Sequence, residues 1–164
     1  MHKSVYLCGP IANTDWTTSA NGWRKYVYDN LNGIIVGPDT GQPFGSISVY
    51  SPMRGKEFLK DKGVLGTQGY EERAVSSVRG IVGRDNNDVM NCDVMLANFL
   101  DTEKVSIGSV AEFGLAHAYR KPIVTVMEKG NIHDHIFIQG MSTYIVPTLD
   151  EGIDLTKMLL LPGY

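Results

Sequence analysis

Cysteine is scarce in this chain of 164 residues: Cys8 and Cys92 are its only two, each inside an apolar run. No Cys-x-x-Cys or Cys/His ligand spacing accompanies them, which argues against a disulfide framework or a zinc site and reads both as reduced core thiols. Long hydrophobic runs are missing too. The first one ends at Gly9-Pro10, too short for the central region of a signal peptide or for a membrane span, so a cytoplasmic protein is expected. Charge of one sign is not in excess. A net charge of −3 provides no broad basic field for long nucleic acid, although a few local donors can still hold a small anion. No Gly-x-Gly-x-x-Gly follows the first apolar run, which argues against a dinucleotide-dependent oxidoreductase. Repeats, low-complexity tracts and linkers are absent, and 43% hydrophobic with 20% charged residues is enough for a core. One domain over residues 1–164 is expected.

What is present alternates. Residues 5–8 read as a buried strand closed by Gly9-Pro10, residues 21–31 as a helix, and residues 33–37 as a second buried strand. Residues 39–50, rich in glycine, proline and serine, read as a loop long enough to be functional. Helical periodicity then carries Val75, Val78 and Val82 through residues 71–91, and residues 93–98 form a third buried strand. A helix holding Glu112, strands over residues 123–127 and 143–146, and a helix around residues 154–161 complete the chain. Such alternation implies an α/β fold, a parallel sheet with helices on both faces. Sheets of this kind bind ligands beyond the carboxyl ends of their strands. That rule gathers Gly9, Pro10, Ile11, Asn98 and the segments 98–109 and 131–135 around one crevice.

The most informative segment is SIGSVAEFG, residues 106–114. A polar loop delivers Glu112 into the first turn of an alanine-rich helix, with Ser106, Gly108 and Ser109 where a helix N-terminus can hold an anion. A carboxylate nucleophile beside a phosphate-sized site suits a small phosphorylated sugar. The structural alternative is a capping box, Ser109 capping the helix and Glu112 reaching back to its amide.

These residues form part of a wider pattern: YLCGPI at 6–11, Arg84-Asp85, CDVMLAN at 92–98 and SIGSVAEFG at 106–114, in that order. The set resembles the nucleoside 2-deoxyribosyltransferase superfamily, which includes N-glycosidases of nucleoside 5′-monophosphates. The resemblance implies a single-domain, Rossmann-like or flavodoxin-like parallel sheet. It implies that Glu112 attacks the anomeric carbon, that Asp85 handles the proton on the departing base, and that Tyr6 orients Glu112, the two-carboxylate logic of retaining glycosidases. Nucleoside-using members carry an acid six positions before the nucleophile; Ser106 stands there, as in the nucleotide-hydrolysing branch. A hydroxyl at a helix N-terminus donates to a phosphate that a carboxylate would repel. The resemblance also implies a homodimer or higher homo-oligomer in which a neighbouring subunit's loop, near residues 133–137, completes the pocket; His135 on that loop is a candidate substrate contact, toward phosphate or base, that the family pattern does not match residue for residue. No cofactor and no metal are expected.

Each residue has a plainer reading. Asp85 is a solvated helix residue or, with Asn86, Asn87 and Asp88, an oxygen-ligand cluster, though it lacks the alternation and turn glycine of a calcium loop. Tyr6 is a core aromatic with a satisfied hydroxyl. Arg54 and Lys56 are cations of a solvated loop, or touch base or phosphate. Trp16 is a candidate lid, whereas Trp23 packs on its helix. Three functions remain: hydrolysis of a nucleoside, preferably 2′-deoxy, 5′-monophosphate; transfer of its sugar to another base; or nucleotide sensing without catalysis.

Overall fold

The computed structural model describes residues 1–17, 21–37, 41–67, 70 and 73–161. In chain order its elements are β1 (His2–Cys8), α1 (Gly22–Leu31), β2 (Gly33–Val36), β3 (Pro43–Tyr50), α2 (Val78–Asn91), β4 (Val94–Asn98), α3 (Ile107–Ala118), β5 (Ile123–Val126), α4 (Ile136–Met141), β6 (Tyr144–Val146) and α5 (Leu149–Leu160). They build one six-stranded sheet in the order β2-β3-β1-β4-β5-β6. All neighbours pair in parallel except β2, which runs antiparallel to β3. Counting the parallel strands alone gives the order 2-1-3-4-5 of flavodoxin-like sheets, with the switch point between β1 and β4. The expected α/β architecture is therefore present.

Three expectations are corrected. The segment 39–50, read as loop, holds β3: Ile47 and Val49 alternate with Ser46, Ser48 and Tyr50 and turn into the core. Glycine, proline and serine masked that period of two, and residues 38–40 lie outside the described ones. β2 is an edge ribbon rather than a buried strand, with Ile34 72% exposed, because it pairs with β3 alone. The last helix starts at Leu149 instead of around Asp154; Thr148 caps it by accepting from the Glu151 amide at 3.3 Å.

Alternation along β1 divides the core. Val5 and Leu7 face α1 and α5, packing with Val27, Leu31, Leu96, Val124, Ile153 and Leu160. Tyr6 and Cys8 face the opposite layer with Val89, Met95, Ala97, Phe99, Phe113 and Ala116. Each fully buried leucine or valine contributes roughly 1.5–3 kcal/mol, so both layers stabilise the sheet. Gly152 brings α5 close: a Cβ there would sit 2.5 Å from Val126 Cγ2.

The second layer contains an inversion. The valines whose spacing marked the helix before the third strand point outward, with Val78 57% and Val82 53% exposed. α2 instead buries Asp85, Asp88 and Val89. Carboxylates go inside only where partners meet them.

Candidate active site

α3 begins one turn earlier than the sequence suggested. Ser106 is its N-cap, its Oγ accepting from the Ser109 amide at 3.4 Å and lying 2.8 Å from Ser109 Oγ. Glu112 therefore sits in the second turn, and the capping-box reading fails: its carboxylate accepts from Tyr6 Oη at 2.8 Å. His133 fixes the cap from behind. Its Nε2 accepts from the Ser106 amide at 2.9 Å, so the ring proton is on Nδ1, 3.2 Å from Asn131 Oδ1. The ring stacks on Phe99 at 4.1 Å between centroids, and burial lowers its pKa, keeping it neutral. His133 is thus a support of the α3 N-terminus inside its own subunit. Gly108 is exposed in the first turn, whose amides lack intrahelical acceptors.

Burial pushes the Glu112 carboxyl up to about 7; the nearby Cys8 thiol, the hydrogen bond from Tyr6 and the charge of Arg24 oppose this, while Asp85 adds to it. Tyr6 is held well above its ordinary range by burial and by Glu112, so it remains a proton donor. Cys8, raised by the same two causes, remains a thiol and donates to the Ser109 carbonyl at 3.7 Å. The result is a carboxylate that changes protonation near neutrality and is held by fixed donors. Such a group serves as a nucleophile or a base.

Asp85 enters from α2, only 6% exposed. Burial raises its pKa, and the charges of Lys56 and Arg84 lower it. Arg84 donates to Asp85 Oδ1 from Nη2 at 3.1 Å and from Nε at 3.2 Å, and reaches on to the Arg54 carbonyl at 2.9 Å and the Pro52 carbonyl at 2.5 Å. Arg54 in turn forks onto Asp88 at 2.5 and 2.9 Å. The acids buried on α2 thus anchor the segment 51–56 through two arginines. Arg54, read from sequence as a ligand contact, has its fork on Asp88. Lys56, at the end of that segment, is 2% exposed and its pKa falls to about 8 through burial.

Arg24 escaped the sequence reading, although it precedes Val27 and Leu31 at helical spacing on the buried face of α1. Its Nη2 donates to the Gly9 carbonyl at 2.7 Å and its guanidinium lies 4.4 Å from the Trp23 ring centre. Gly9 permits the approach: a Cβ there would lie 2.7 Å from the Asn98 carbonyl and 2.9 Å from Trp23. Pro10 and Asn98 line a cavity of about 610 Å³ with Asn13, Trp23, Thr102 and Lys104. Asn98 Oδ1 accepts from the Leu100 amide at 3.2 Å. Ile11 packs on a small cluster of Trp16, Met53, Leu59 and Leu65. Trp16, 5% exposed, is a core residue of that cluster and not a lid. His135 caps the short helix α4, accepting from the Phe137 amide at 3.3 Å, and both side chains are exposed. Among the described residues no cluster of three or more His, Cys, Asp or Glu side chains could hold a metal ion, and no helix is long and apolar enough to cross a membrane.

No protein-family profile and no curated protein matches the chain. Solved structures do. A 2-deoxyribosyltransferase of Bacillus psychrosaccharolyticus matches over 99% of both chains with 14% identity and a TM-score of 0.61. A CMP N-glycosidase of Clostridium botulinum matches over 96% of this chain and 100% of its own, with 16% identity and a TM-score of 0.53. At these identities the likeness is one of fold: the chain shares the α/β fold of a 2-deoxyribosyltransferase and of a CMP N-glycosidase.

Proposed function

We propose that this protein is an enzyme that cleaves the N-glycosidic bond of a nucleoside 5′-monophosphate, preferably a 2′-deoxy one, through a glycosyl-enzyme on Glu112. The observation that carries the reading is the Tyr6–Glu112 pair at 2.8 Å, on a carboxyl poised at about 7 and coupled to a second buried acid, Asp85. In the first step a Glu112 oxygen bonds to C1′ as the C1′–N bond breaks, and Asp85 gives its proton to the departing base. In the second, water attacks C1′, loses a proton to Asp85 and frees Glu112, leaving sugar 5-phosphate. Tyr6 holds the carboxylate in line throughout. The Ser106 hydroxyl and the first-turn amides of α3 suit the phosphate, since a helix N-terminus offers donors and partial positive charge. No cofactor takes part.

Transfer to a second base uses the same intermediate, with the base replacing water. Fold likeness to both a transferase and an N-glycosidase keeps that reading beside hydrolysis. A homodimer is part of the proposal: Ile107 of α3, Ile136 and Phe137 of α4, and Ile132 before it are exposed apolar side chains, and α3 packs against α4. Through it His135 reaches a partner's pocket.

Chromatography of nucleosides and 5′-monophosphates incubated with the protein, with and without free base, tests the proposal. Base released from a monophosphate alone is expected. A product formed only with acceptor base indicates a transferase, and binding without turnover indicates a sensor.

A further inference from the structure

Glu128, in the loop between β5 and α4, commits one carboxylate oxygen and leaves the other bare. Oε1 accepts from Asn131 Nδ2 at 2.8 Å, whereas Oε2 is buried and has no partner among the described residues. A bare carboxylate oxygen beneath the surface opposes folding, so its retention points to what Oε1 holds.

Asn131 gives Nδ2 to two groups that can only accept, the Glu128 carboxylate and the Phe99 carbonyl at 2.6 Å. That settles which way the amide faces. Oδ1 must point to the other side, where it accepts from the His133 amide at 2.9 Å and lies 3.2 Å from His133 Nδ1. The ring proton is therefore on Nδ1, Nε2 is left as an acceptor, and the Ser106 amide supplies its hydrogen at 2.9 Å. Each polarity from Glu128 to the N-cap of α3 follows from the one before it. The middle members, Asn131 and His133, are 5% and 2% exposed, and the His133 ring lies within 9° of parallel to Phe99, which keeps Nε2 in place.

The consequence falls on Ser106, whose backbone is pinned by this chain. Ser109, 3% exposed, has only Ser106 Oγ, 2.8 Å away, to receive its hydroxyl proton among the described residues, so Ser109 donates. Ser106 Oγ also accepts from the Ser109 amide. Two accepted bonds fill its lone pairs and leave its own proton for a ligand. The Ile107 and Gly108 amides of the exposed first turn add two further donors. The α3 N-terminus thus presents donors only. A phosphate, whose terminal oxygens accept, satisfies them together, whereas a free 5′-hydroxyl brings a proton for which this cradle has no acceptor.

We infer that Glu128, Asn131 and His133 are positioning residues that decide which sugar the site takes: by holding the Ser106 amide they fix the α3 N-terminus as a cradle of donors, which selects a 5′-phosphate over a free 5′-hydroxyl. This rests on the phosphate reading of Ser106 proposed above. The three side chains act through Ser106, and the loop after β5 becomes a determinant of specificity by way of its hydrogen bond to the start of α3.

The test compares wild type, His133→Phe and His133→Gln by isothermal titration with 2-deoxyribose 5-phosphate and with 2-deoxyribose, alongside nitrogen-15 spectra of the His133 ring in wild type. Phenylalanine keeps the stack on Phe99 and removes the acceptor; glutamine offers an amide oxygen near the place of Nε2. Leaving the Ser106 amide without its acceptor should cost His133→Phe about tenfold of the preference for the phosphorylated sugar, while His133→Gln should stay within about threefold of wild type. The wild-type ring should carry its proton on Nδ1, both free and with 2-deoxyribose 5-phosphate bound. A preference that survives or grows in His133→Phe, a loss in His133→Gln as large as in His133→Phe, or a wild-type ring protonated on Nε2 would overturn the inference. Should His133→Phe not fold, the ring spectra of wild type and the affinity of His133→Gln decide. If wild type itself binds both sugars equally, the phosphate reading of the proposed function has failed; if wild type prefers the phosphate and His133→Phe does so equally, the inference alone has failed.

Discussion

α5 and α2 are both amphipathic helices packed on the same sheet, yet they are turned opposite ways. α5 sends Ile153, Thr156 and Leu160 inward and leaves Asp150, Glu151 and Asp154 in solvent. α2 sends Asp85 and Asp88 inward and leaves Val78 and Val82 outside. The α5 layer follows the hydrophobic effect, burying apolar area and solvating charge. The α2 and α3 layer works against it, collecting Glu112, Asp85, Asp88, Arg84 and Lys56 beneath the surface. Stability resides in the first layer, and the proposed chemistry would reside in the second, where buried charges are held by a sheet anchored from its other face.

Substitutions should separate the two layers. Glu112→Gln should lower turnover by roughly 10⁴-fold or more while nucleotide binding survives, as expected for removal of a covalent nucleophile. The same variant should be more stable than wild type at pH 8. Its carboxyl rises from an ordinary 4.5 to about 7 on folding, so the folded state binds more protons between those values, and stability falls as pH rises from 4.5 through 7. The gain from Gln should therefore be present at pH 8 and vanish at pH 4, as melting curves at the two pH values will show. Asp85→Asn should cost about 10²–10⁴-fold in single-turnover rate, the usual range for a general acid, and less on bases that leave easily.

Ile153→Ala, on the opposite layer, should do the reverse: about 2–5 kcal/mol less stable in denaturant melts, with turnover per folded molecule unchanged. A loss of turnover in that variant would erase the distinction between the layers. Tyr6→Phe should have the smallest effect, about tenfold in kcat/KM. Because the Tyr6 hydroxyl lowers the Glu112 pKa, its removal should move the acidic limb of the pH profile upward from about 7.

The sequence disclosed the elements whose residues obey one rule at a time. β1, β4 and β5 are continuous apolar runs, as strands buried on both faces must be, and their alternation with helices led to the parallel sheet. The Tyr6, Asp85 and Glu112 set was legible as an ordered group of motifs, and the structure brings Tyr6 onto Glu112. β3 was hidden because Ser46, Ser48 and Gly45 alternate with its apolar residues, a composition shared with loops. α2 was legible as a helix but not in its orientation: its valines have helical period, but the period gives no direction, and the buried acids reverse the usual one. Lys56 was read from sequence either as a solvated loop cation or as a contact to base or phosphate, and Arg24 was not singled out, because a single cation in a loop or helix is ordinarily solvated. Only their burial distinguishes them, although the spacing of Arg24 with Val27 and Leu31 was a usable signal.

The central claim is that Glu112 becomes covalently glycosylated, and mass spectrometry of protein acid-quenched during turnover of a deoxynucleoside 5′-monophosphate tests it most directly. The account predicts a peptide spanning Glu112 that carries the mass of a deoxyribose 5-phosphate residue in wild type and not in Glu112→Gln. Rapid base release from wild type with no such adduct, or an adduct on another residue, would contradict it.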